Sequence, residues 1–180
     1  MSGLLRPRSE TIIVVTGIQA AGKSTVARLL AQRFARGVHI EADVLQHLIV
    51  SGSQGVQEPG PLTGEAARQY WLRLKHLCLL GRSFWEADFS VVLDDIIMGE
   101  AWPYVQSQLQ GIPCTLIVLA PQVQVVAQVR DRTRVKRPLG EAWALYLDQM
   151  LRTTMQGIGQ WLDTSEQSPT ETVDAILRLL

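Results

Sequence analysis

A glycine-rich stretch near the start of the chain, GIQAAGKST at residues 17–25, constrains the fold more than any other feature. It follows a run of mostly β-branched apolar residues, TIIVV, and it precedes a segment with the apolar periodicity of a helix. The pattern G-x-x-x-x-G-K-[ST] between a strand and a helix is the signature of a phosphate-binding P-loop. The sequence therefore predicts a strand, a loop and a helix that bind a nucleotide phosphate.

Each part of this motif has a role in holding phosphate. Gly17 and Gly22 let the backbone turn and approach a phosphate, because glycine has no Cβ. Unpaired N–H groups at the helix start attract the anion. Lys23 adds a positive charge for the β- and γ-phosphate oxygens, and Ser24 offers a hydroxyl ligand for Mg²⁺. The predicted nucleotide-binding residues of the loop are Gly17, Ala20, Ala21, Gly22, Lys23, Ser24 and Thr25.

Composition limits the class of partner. The chain has 180 residues, enough for one α/β domain, and its 17 basic and 17 acidic residues cancel without forming a block of like charge. This balance argues against a nucleic-acid or anionic membrane partner. No apolar run approaches the roughly 18 residues of a spanning helix, and the first ten residues lack the pattern of a secretory signal. We therefore expect a cytoplasmic protein, monomeric or homodimeric, with a small-molecule partner.

Extended apolar runs alternate with helical patterns along the chain. This alternation predicts one α/β domain over residues 1–180, with a five-stranded parallel sheet covered by helices on both faces. In such sheets the ligand binds at the carboxyl ends of the strands. We predict strands at 11–15, 38–40, 91–95, 114–121 and 160–163, and helices at 44–50, 62–85, 100–110, 123–132, 141–158 and 170–180.

Two carboxylates follow the second predicted strand. Glu41 and Asp43 are two positions apart, and an extended backbone would direct both side chains to the same side, toward the ligand. A carboxylate there could take the proton of an acceptor hydroxyl, and this role of general base is assigned to Asp43. The alternative is that Asp43 caps a short helix beginning at Val44.

A second acidic pair, Asp94 and Asp95, closes the apolar strand VVLDD. An acid at this point resembles a Walker B residue, which holds Mg²⁺ directly or through water. Either aspartate could serve, and so could neither if both are loop or capping carboxylates. Farther along, the segment 130–140 is basic, and it is either a solvated helix end or a lid that brings arginines onto the phosphates. Its basic residues are Arg130, Arg132, Arg134, Lys136 and Arg137.

The order of these features resembles the small P-loop kinases, a superfamily that includes adenylate, shikimate and gluconate kinases. The chloramphenicol-phosphotransferase-like and zeta-toxin-like branch is the most similar. The matching features are the P-loop, the acid after strand 2, the acidic pair after strand 3, Arg-x-x-x-Arg at 130–134 and the closing segment WLDTSEQSPTETVDAIL. The resemblance implies the strand order 2-3-1-4-5, a small lid, and ATP with Mg²⁺.

The same resemblance implies roles for individual residues. Asp43 would act as a base or acceptor ligand, Arg130 would lie against the adenine, and Arg134 would contact the phosphates. The loop 164–169, which includes Ser165, would lie beside the base. The EAD segment stands where shikimate kinases have an Asp-x-Asp pair, although Glu41 departs from that pattern.

Three functions are compatible with the sequence. The first is transfer of the γ-phosphate of ATP to a hydroxyl of a small molecule, such as an antibiotic or a sugar-like or nucleoside-like compound. The second is a nucleoside or nucleotide kinase, which would need acceptor-side arginines in a loop. Arg68, Arg73 and Arg82 lie on a predicted helix, so a neutral acceptor is favoured. The third is a non-catalytic nucleotide switch. Tyr70 and Trp85 are the predicted aromatic residues of the acceptor side, whereas Trp71 is assigned to the core.

Overall fold

The P-loop joins the first strand to the first helix, as predicted. In the computed structural model, which describes residues 10–127 and 139–180, strand β1 spans Ile12–Gly17 and helix α1 spans Lys23–Ala31. All six residues of β1 are buried. Because successive side chains of a strand point to opposite faces, this burial means that both faces of the sheet are covered at its centre.

The five strands form one sheet with the predicted order β2-β3-β1-β4-β5, and every neighbouring pair is parallel. The register of the pairs aligns the ends of β2 and β3 with a point two residues before the end of β1. Glu41 pairs with Asp94, and Asp94 pairs on its other side with Val15. Both carboxylates therefore lie at the edge of the sheet from which the P-loop emerges. The remaining strands are β2 Gly37–Glu41, β3 Ser90–Asp94, β4 Cys114–Leu119 and β5 Gln160–Leu162.

The helices pack on the sheet in two groups. Helix α1 contacts the last helix of the chain, whereas the long third helix contacts the second and fourth helices and strands β2 and β3. No helix within the described residues is long and apolar enough to cross a membrane. The helices after α1 are α2 Ala42–Gln46, α3 Gly64–Glu86, α4 Ala101–Gln108, α5 Val123–Val125, α6 Glu141–Thr154 and α7 Pro169–Leu179.

Helix α3 is amphipathic, and Thr63 occupies its N-cap position. Leu74, Leu77 and Cys78 are buried against the sheet. Gly81 lets the helix approach β3, because a Cβ at this position would lie 3.2 Å from the side chain of Leu93. The amino-terminal half of α3 reaches the carboxyl ends of the strands, and its carboxyl end lies at the opposite edge of the sheet, just before β3 begins.

Two helices begin earlier in the chain than predicted. Helix α2 begins at Ala42 and not at Val44, so Glu41 occupies the N-cap position and Asp43 lies inside the first turn. Asp43 is therefore neither the cap of this helix nor part of an extended Glu-x-Asp pair. The last helix begins at Pro169 and not at Thr170, because Ser168 and Glu171 form a reciprocal capping box.

Trp85 was predicted to line the acceptor side, but it lies near the carboxyl end of α3, at the edge of the sheet away from the P-loop. Trp71 packs edge-on between Tyr70 and Tyr104, with ring centroids 5.4 and 5.2 Å away, which agrees with its predicted core role. Most of the predicted lid, 130–140, lies outside the described residues, and so do Arg130 and Arg134.

Candidate active site at the strand ends

The P-loop needs glycine at two positions, Gly17 and Gly22, for different reasons. Gly22 has φ +97° with open space where a Cβ would be, so it is needed for its left-handed conformation. At Gly17 a Cβ would lie 2.4 Å from the carbonyl oxygen of Leu119, so glycine is needed here because strand β4 leaves no room for a side chain. Between them, Ala20 has φ +54°, which is uncommon outside glycine and indicates a locally strained loop.

The start of α1 meets the requirements of an anion site. Its first intrahelical bond runs from the Val26 N–H to the Gly22 carbonyl, so the preceding N–H groups have no carbonyl partner within the helix. Positive partial charge gathers at this end of the helix. The Lys23 ammonium lies over the same loop and donates to the Ile18 carbonyl at 2.8 Å. The open space at Gly22 and these donors fit a phosphate group.

Ser24 connects the P-loop helix to the carboxylates of two strands. Its hydroxyl lies 2.8 Å from Asp94 Oδ2 and 3.1 Å from Glu41 Oε1. The other oxygen of Asp94, Oδ1, accepts from His39 Nε2 at 2.5 Å. Asp94 is almost fully buried, with 2% of its surface exposed. Both of its oxygens are therefore held in fixed directions by partners on α1 and β2.

This arrangement favours a cation. A serine hydroxyl has one proton and can donate to only one of the two carboxylates at a time. The second carboxylate then approaches a lone pair and another negative charge, which is unfavourable unless a positive group intervenes. Oxygen donors of this kind suit Mg²⁺. Within residues 10–127 and 139–180 no three His, Cys, Asp or Glu side chains form a metal cluster by themselves, but Mg²⁺ in nucleotide sites needs only one or two carboxylates beside phosphates and water.

Asp95 is engaged differently from its neighbour. Its carboxylate forms a two-pronged ion pair with Arg73, at 2.9 and 3.0 Å, and also accepts the Ile96 N–H at 2.8 Å. Burial raises the pKa of Asp95, while the Arg73 guanidinium opposes that rise. The ring of Tyr70 supports Arg73 from 5.2 Å, and its hydroxyl donates to the Ile96 carbonyl. The two acids therefore have different partners. Asp94 contacts Ser24 and His39, whereas Asp95 forms a buried ion pair with Arg73.

Asp43 belongs to the same site although it lies on a helix. Its negative charge raises the pKa of Asp95, and the charge of Lys23 lowers it, so both groups act on the Asp95 carboxyl. Asp43 is half-buried in the first turn of α2, immediately beyond the end of β2. Asp43 therefore lies near the acidic pair, on the first turn of α2, and its role as a base stays a prediction.

The loop 51–63 is fastened to α3 by one buried amide. Gln69 Nε2 donates to the Gly52 carbonyl and to Glu65, both at 2.8 Å. Its Oε1 accepts the Gln54 N–H at 2.9 Å and the Gln46 side chain at 3.2 Å. All hydrogen-bonding capacity of this amide is used. The first residues of the loop are therefore held in place by hydrogen bonds to α2 and α3.

Gln19, within the P-loop, presents the opposite situation. The residue is 4% exposed, and both Nε2 and Oε1 are shielded from solvent without a hydrogen-bond partner in the part of the chain that the structure describes. An unsatisfied buried polar group costs about 1–3 kcal/mol, so native structures rarely keep one without a reason. This side chain was not predicted as a site residue.

The loop after β5 shows how Ser165 is held. Ser165 donates its hydroxyl to Asp163 Oδ1 and accepts the Gln122 N–H at 2.8 Å. These bonds tie the end of β5 to the segment after β4. The predicted position of Ser165 beside a nucleotide base stays a prediction, as do the roles of Arg130 and Arg134.

Sequence reasoning missed His39, Gln19 and the pairing of Arg73 with Asp95. One signal could have revealed His39, which lies two positions before Glu41 on a strand and therefore on the same face. The Arg73 pairing joins residues 22 positions apart and has no local signal. Gln19 was visible only as one of the variable positions of the P-loop motif.

Comparison with known proteins agrees with this architecture. No protein-family model matches the chain, and no curated protein matches its sequence. Many solved structures match its fold. A sugar kinase from Janibacter sp. HTCC2649 has a TM-score of 0.68 at 19% identity, with 94% of each chain covered. A gluconokinase from Sinorhizobium meliloti 1021 has a TM-score of 0.64 at 21% identity, covering 96% of this chain and 94% of the other.

The tunicamycin resistance protein of Deinococcus radiodurans is equally similar, with a TM-score of 0.68 at 19% identity and 95% of each chain covered. These neighbours are in the P-loop kinase superfamily. The predicted P-loop kinase fold is therefore confirmed. Sequence identities at this level show the fold alone.

The buried ion pair leads to a prediction about stability and pH. Replacing Arg73 with Met leaves the Asp95 carboxylate buried without its cation, which should lower the free energy of unfolding at pH 7 by about 3–5 kcal/mol. The pKa of Asp95, already raised by burial, should rise further. When the pKa of a carboxyl group is higher in the folded than in the unfolded protein, the free energy of unfolding falls as the pH rises above the unfolded pKa. The loss should therefore be smaller at pH 5 than at pH 7 in chemical denaturation.

Two variants control this measurement. Adding Asp95→Asn to Arg73→Met removes the stranded charge and should restore part of the stability at pH 7. Arg68→Met breaks an exposed pair with Glu65, and because exposed ion pairs contribute little, it should change stability much less than Arg73→Met at either pH. A loss for Arg73→Met that is the same at both pH values and is not recovered by Asp95→Asn would contradict the electrostatic explanation.

Proposed function

We propose that the protein is an ATP- and Mg²⁺-dependent phosphotransferase that moves the γ-phosphoryl group to a hydroxyl of a small molecule. The observation that carries this proposal is the convergence of the Ser24 hydroxyl with Glu41 and Asp94 beside the P-loop. A P-loop alone indicates nucleotide phosphate and no particular reaction. The acids at the ends of β2 and β3, with Asp43 beyond them, favour transfer to an acceptor. The kinase fold of the structural neighbours supports the same reading.

The donor side of the site would be formed by the P-loop and α1. The N–H groups at the start of α1 would hold the phosphates, and Lys23 would exchange the Ile18 carbonyl for β- and γ-phosphate oxygens. Ser24 and Asp94 would hold Mg²⁺, which neutralises charge on the phosphate oxygens during transfer. Asp95 is left out of this assignment, because Arg73 and the Ile96 N–H already occupy its oxygens.

The acceptor side would be formed by Asp43 and the adjoining part of α3. Asp43 takes the hydroxyl proton of the acceptor as the new oxygen–phosphorus bond forms and the bond to the ADP leaving group breaks. From the sequence resemblance, Arg130 and Arg134 would close over the nucleotide. Of the three arginines of α3, Arg68 pairs with Glu65 and Arg73 with Asp95. Arg82 lies near the carboxyl end of the helix, away from the P-loop, and donates to carbonyls of residues 108 and 110. This engagement favours an uncharged acceptor over a nucleotide.

The first experiment is an acceptor screen. The purified protein is incubated with ATP, Mg²⁺ and a panel of hydroxyl compounds that includes sugars, polyols, nucleosides, nucleoside monophosphates and antibiotics, and ADP release is measured. We expect one class of uncharged acceptor to raise ADP release above background, and Lys23→Ala to abolish both nucleotide binding and turnover. Fastest turnover with a nucleoside monophosphate would favour a nucleotide kinase. No response to any acceptor, with nucleotide-controlled binding of a partner, would favour a switch.

The proposed base is tested by Asp43→Asn. This variant keeps the size of the side chain but cannot accept the proton, so turnover should fall by about 10²-fold or more while ATP affinity is nearly unchanged. Asp148→Asn is the matched control, since Asp148 pairs with Arg152 on α6 and has no place in the proposed site. Unchanged turnover in Asp43→Asn would exclude Asp43 as the base.

The metal assignment is tested by titrating Mg²⁺. We expect Asp94→Asn to raise the Mg²⁺ concentration for half-maximal activity by about 10- to 100-fold or more, because the loss of a residue that only orients a metal ligand already has an effect of this size. Asp95→Asn is the neighbouring control and should leave that concentration near the wild-type value, even though it weakens the pairing with Arg73. If Asp95→Asn raises the Mg²⁺ requirement and Asp94→Asn does not, the assignment is reversed.

A further inference from the structure

Two buried glutamines near the candidate site differ in one respect. Gln69 is 5% exposed, and its amide makes four hydrogen bonds. Gln19 is 4% exposed, and within residues 10–127 and 139–180 its amide makes none. The two side chains are chemically identical and equally buried. The difference therefore lies in the surroundings of Gln19. The described residues around it shield its amide from solvent but do not form hydrogen bonds with it.

Gln19, with its unpaired amide, lies in the P-loop of the proposed phosphotransfer site. It follows Ile18, whose carbonyl receives the Lys23 ammonium at 2.8 Å. It also lies between the end of β1 and the start of α1, at the edge of the sheet that carries Glu41 and Asp94. A ligand that reaches the Lys23 head group therefore reaches the loop that carries Gln19. Burial of an unpaired amide at such a place indicates a group that a ligand completes.

The hydrogen-bonding groups of the amide limit the class of ligand that can satisfy it. A glutamine side chain offers two N–H donors and one carbonyl acceptor. A phosphate oxygen only accepts, so it would satisfy Nε2 and leave Oε1 buried and unpaired. A carboxylate would do the same. A hydroxyl both donates and accepts, so two hydroxyls of one molecule can satisfy both ends of the amide.

We propose that Gln19 is an acceptor-binding residue and that the acceptor is an uncharged polyhydroxy compound. One hydroxyl of this compound donates to Oε1 and another accepts from Nε2, while a third is positioned for phosphorylation. This inference rests on the proposed phosphotransfer function and makes its substrate class specific. It agrees with the pairing of the two arginines in the amino-terminal half of α3, Arg68 and Arg73, each of which is already held by a carboxylate.

The first test needs no substrate. Gln19→Met replaces the unpaired amide with an apolar side chain of similar length, so it should raise the Tm of the ligand-free protein. Gln69→Met is the matched control, and it should lower the Tm because it removes four hydrogen bonds and leaves the Gly52 carbonyl and Gln54 N–H without their partner. If Met does not fit at position 19, Gln19→Ala removes the amide without adding bulk, and it should be less destabilising than Gln69→Ala. A Gln19 variant that loses as much stability as its Gln69 counterpart would overturn the proposal.

The second test measures binding. Glycerol, erythritol, xylitol, sorbitol and myo-inositol are titrated into the wild-type protein with Mg²⁺ and a non-hydrolysable ATP analogue, and binding is followed by calorimetry. We expect at least one polyol to bind, and its affinity to fall about 10- to 100-fold in Gln19→Met, roughly tenfold for each hydrogen bond lost. The affinity for the ATP analogue should not change. Matching alkanols with a single hydroxyl should bind wild type and variant equally weakly.

The outcomes separate this inference from the proposed function. Polyol binding that depends on Gln19 but brings no ADP release would support the binding site and count against phosphotransfer. Phosphotransfer to a charged or single-hydroxyl acceptor, with kcat/KM unchanged in Gln19→Met, would support the general function and overturn the role of Gln19. Weaker binding of the ATP analogue in Gln19→Met would assign the amide to the phosphates and would also overturn the proposal.

Discussion

The hydroxyl of Ser24 is the contact on which the site depends, because it joins the start of α1 to the ends of β2 and β3. The parallel register places Glu41 beside Asp94, and α1 holds Ser24 over both. The single hydroxyl proton of Ser24 can bond only one of the two carboxylates at a time, so negative charge remains between Glu41 and Asp94. The helix dipole of α1 and Lys23 provide positive charge beside it. His39 fixes the remaining oxygen of Asp94. A site with this balance is suited to a phosphate and a divalent cation together.

Helix α3 organises the other side of the crevice through its first ten residues. Gln69 fastens the loop 51–63, Tyr70 bonds the Ile96 carbonyl, and Arg73 neutralises Asp95. These contacts satisfy polar groups that would otherwise be costly to bury. Because the arginine charge is consumed internally, this side offers hydrogen-bonding groups more than free positive charge. That property distinguishes it from the P-loop side, where anion binding is the main feature.

Local patterns account for the parts of the structure that the sequence could predict. The P-loop, the alternation of strands and helices, and the acids at strand ends depend on short-range periodicity and turn chemistry. The starts of α2 and α7 were predicted wrongly because residues one or two positions apart could each begin the helix. Pro169 is well placed as the first helical residue, which makes Ser168 the cap, yet Thr170 is also a good capping residue. The pairing of Arg73 with Asp95 and the isolation of Gln19 depend on tertiary packing and could not be found in this way.

The contrast between the two sides of the crevice indicates where selectivity arises. Backbone N–H groups, a lysine and a carboxylate-held cation would recognise the phosphates of any nucleoside triphosphate, because they respond to charge. A buried neutral amide responds to the arrangement of donors and acceptors, and it penalises a ligand that leaves it unpaired. Gln19 has this property and lies in the P-loop itself, so the same loop would bind the donor through its backbone and select the acceptor through a side chain. The variable positions of the P-loop motif can therefore carry substrate specificity while its glycines, lysine and serine bind phosphate and metal.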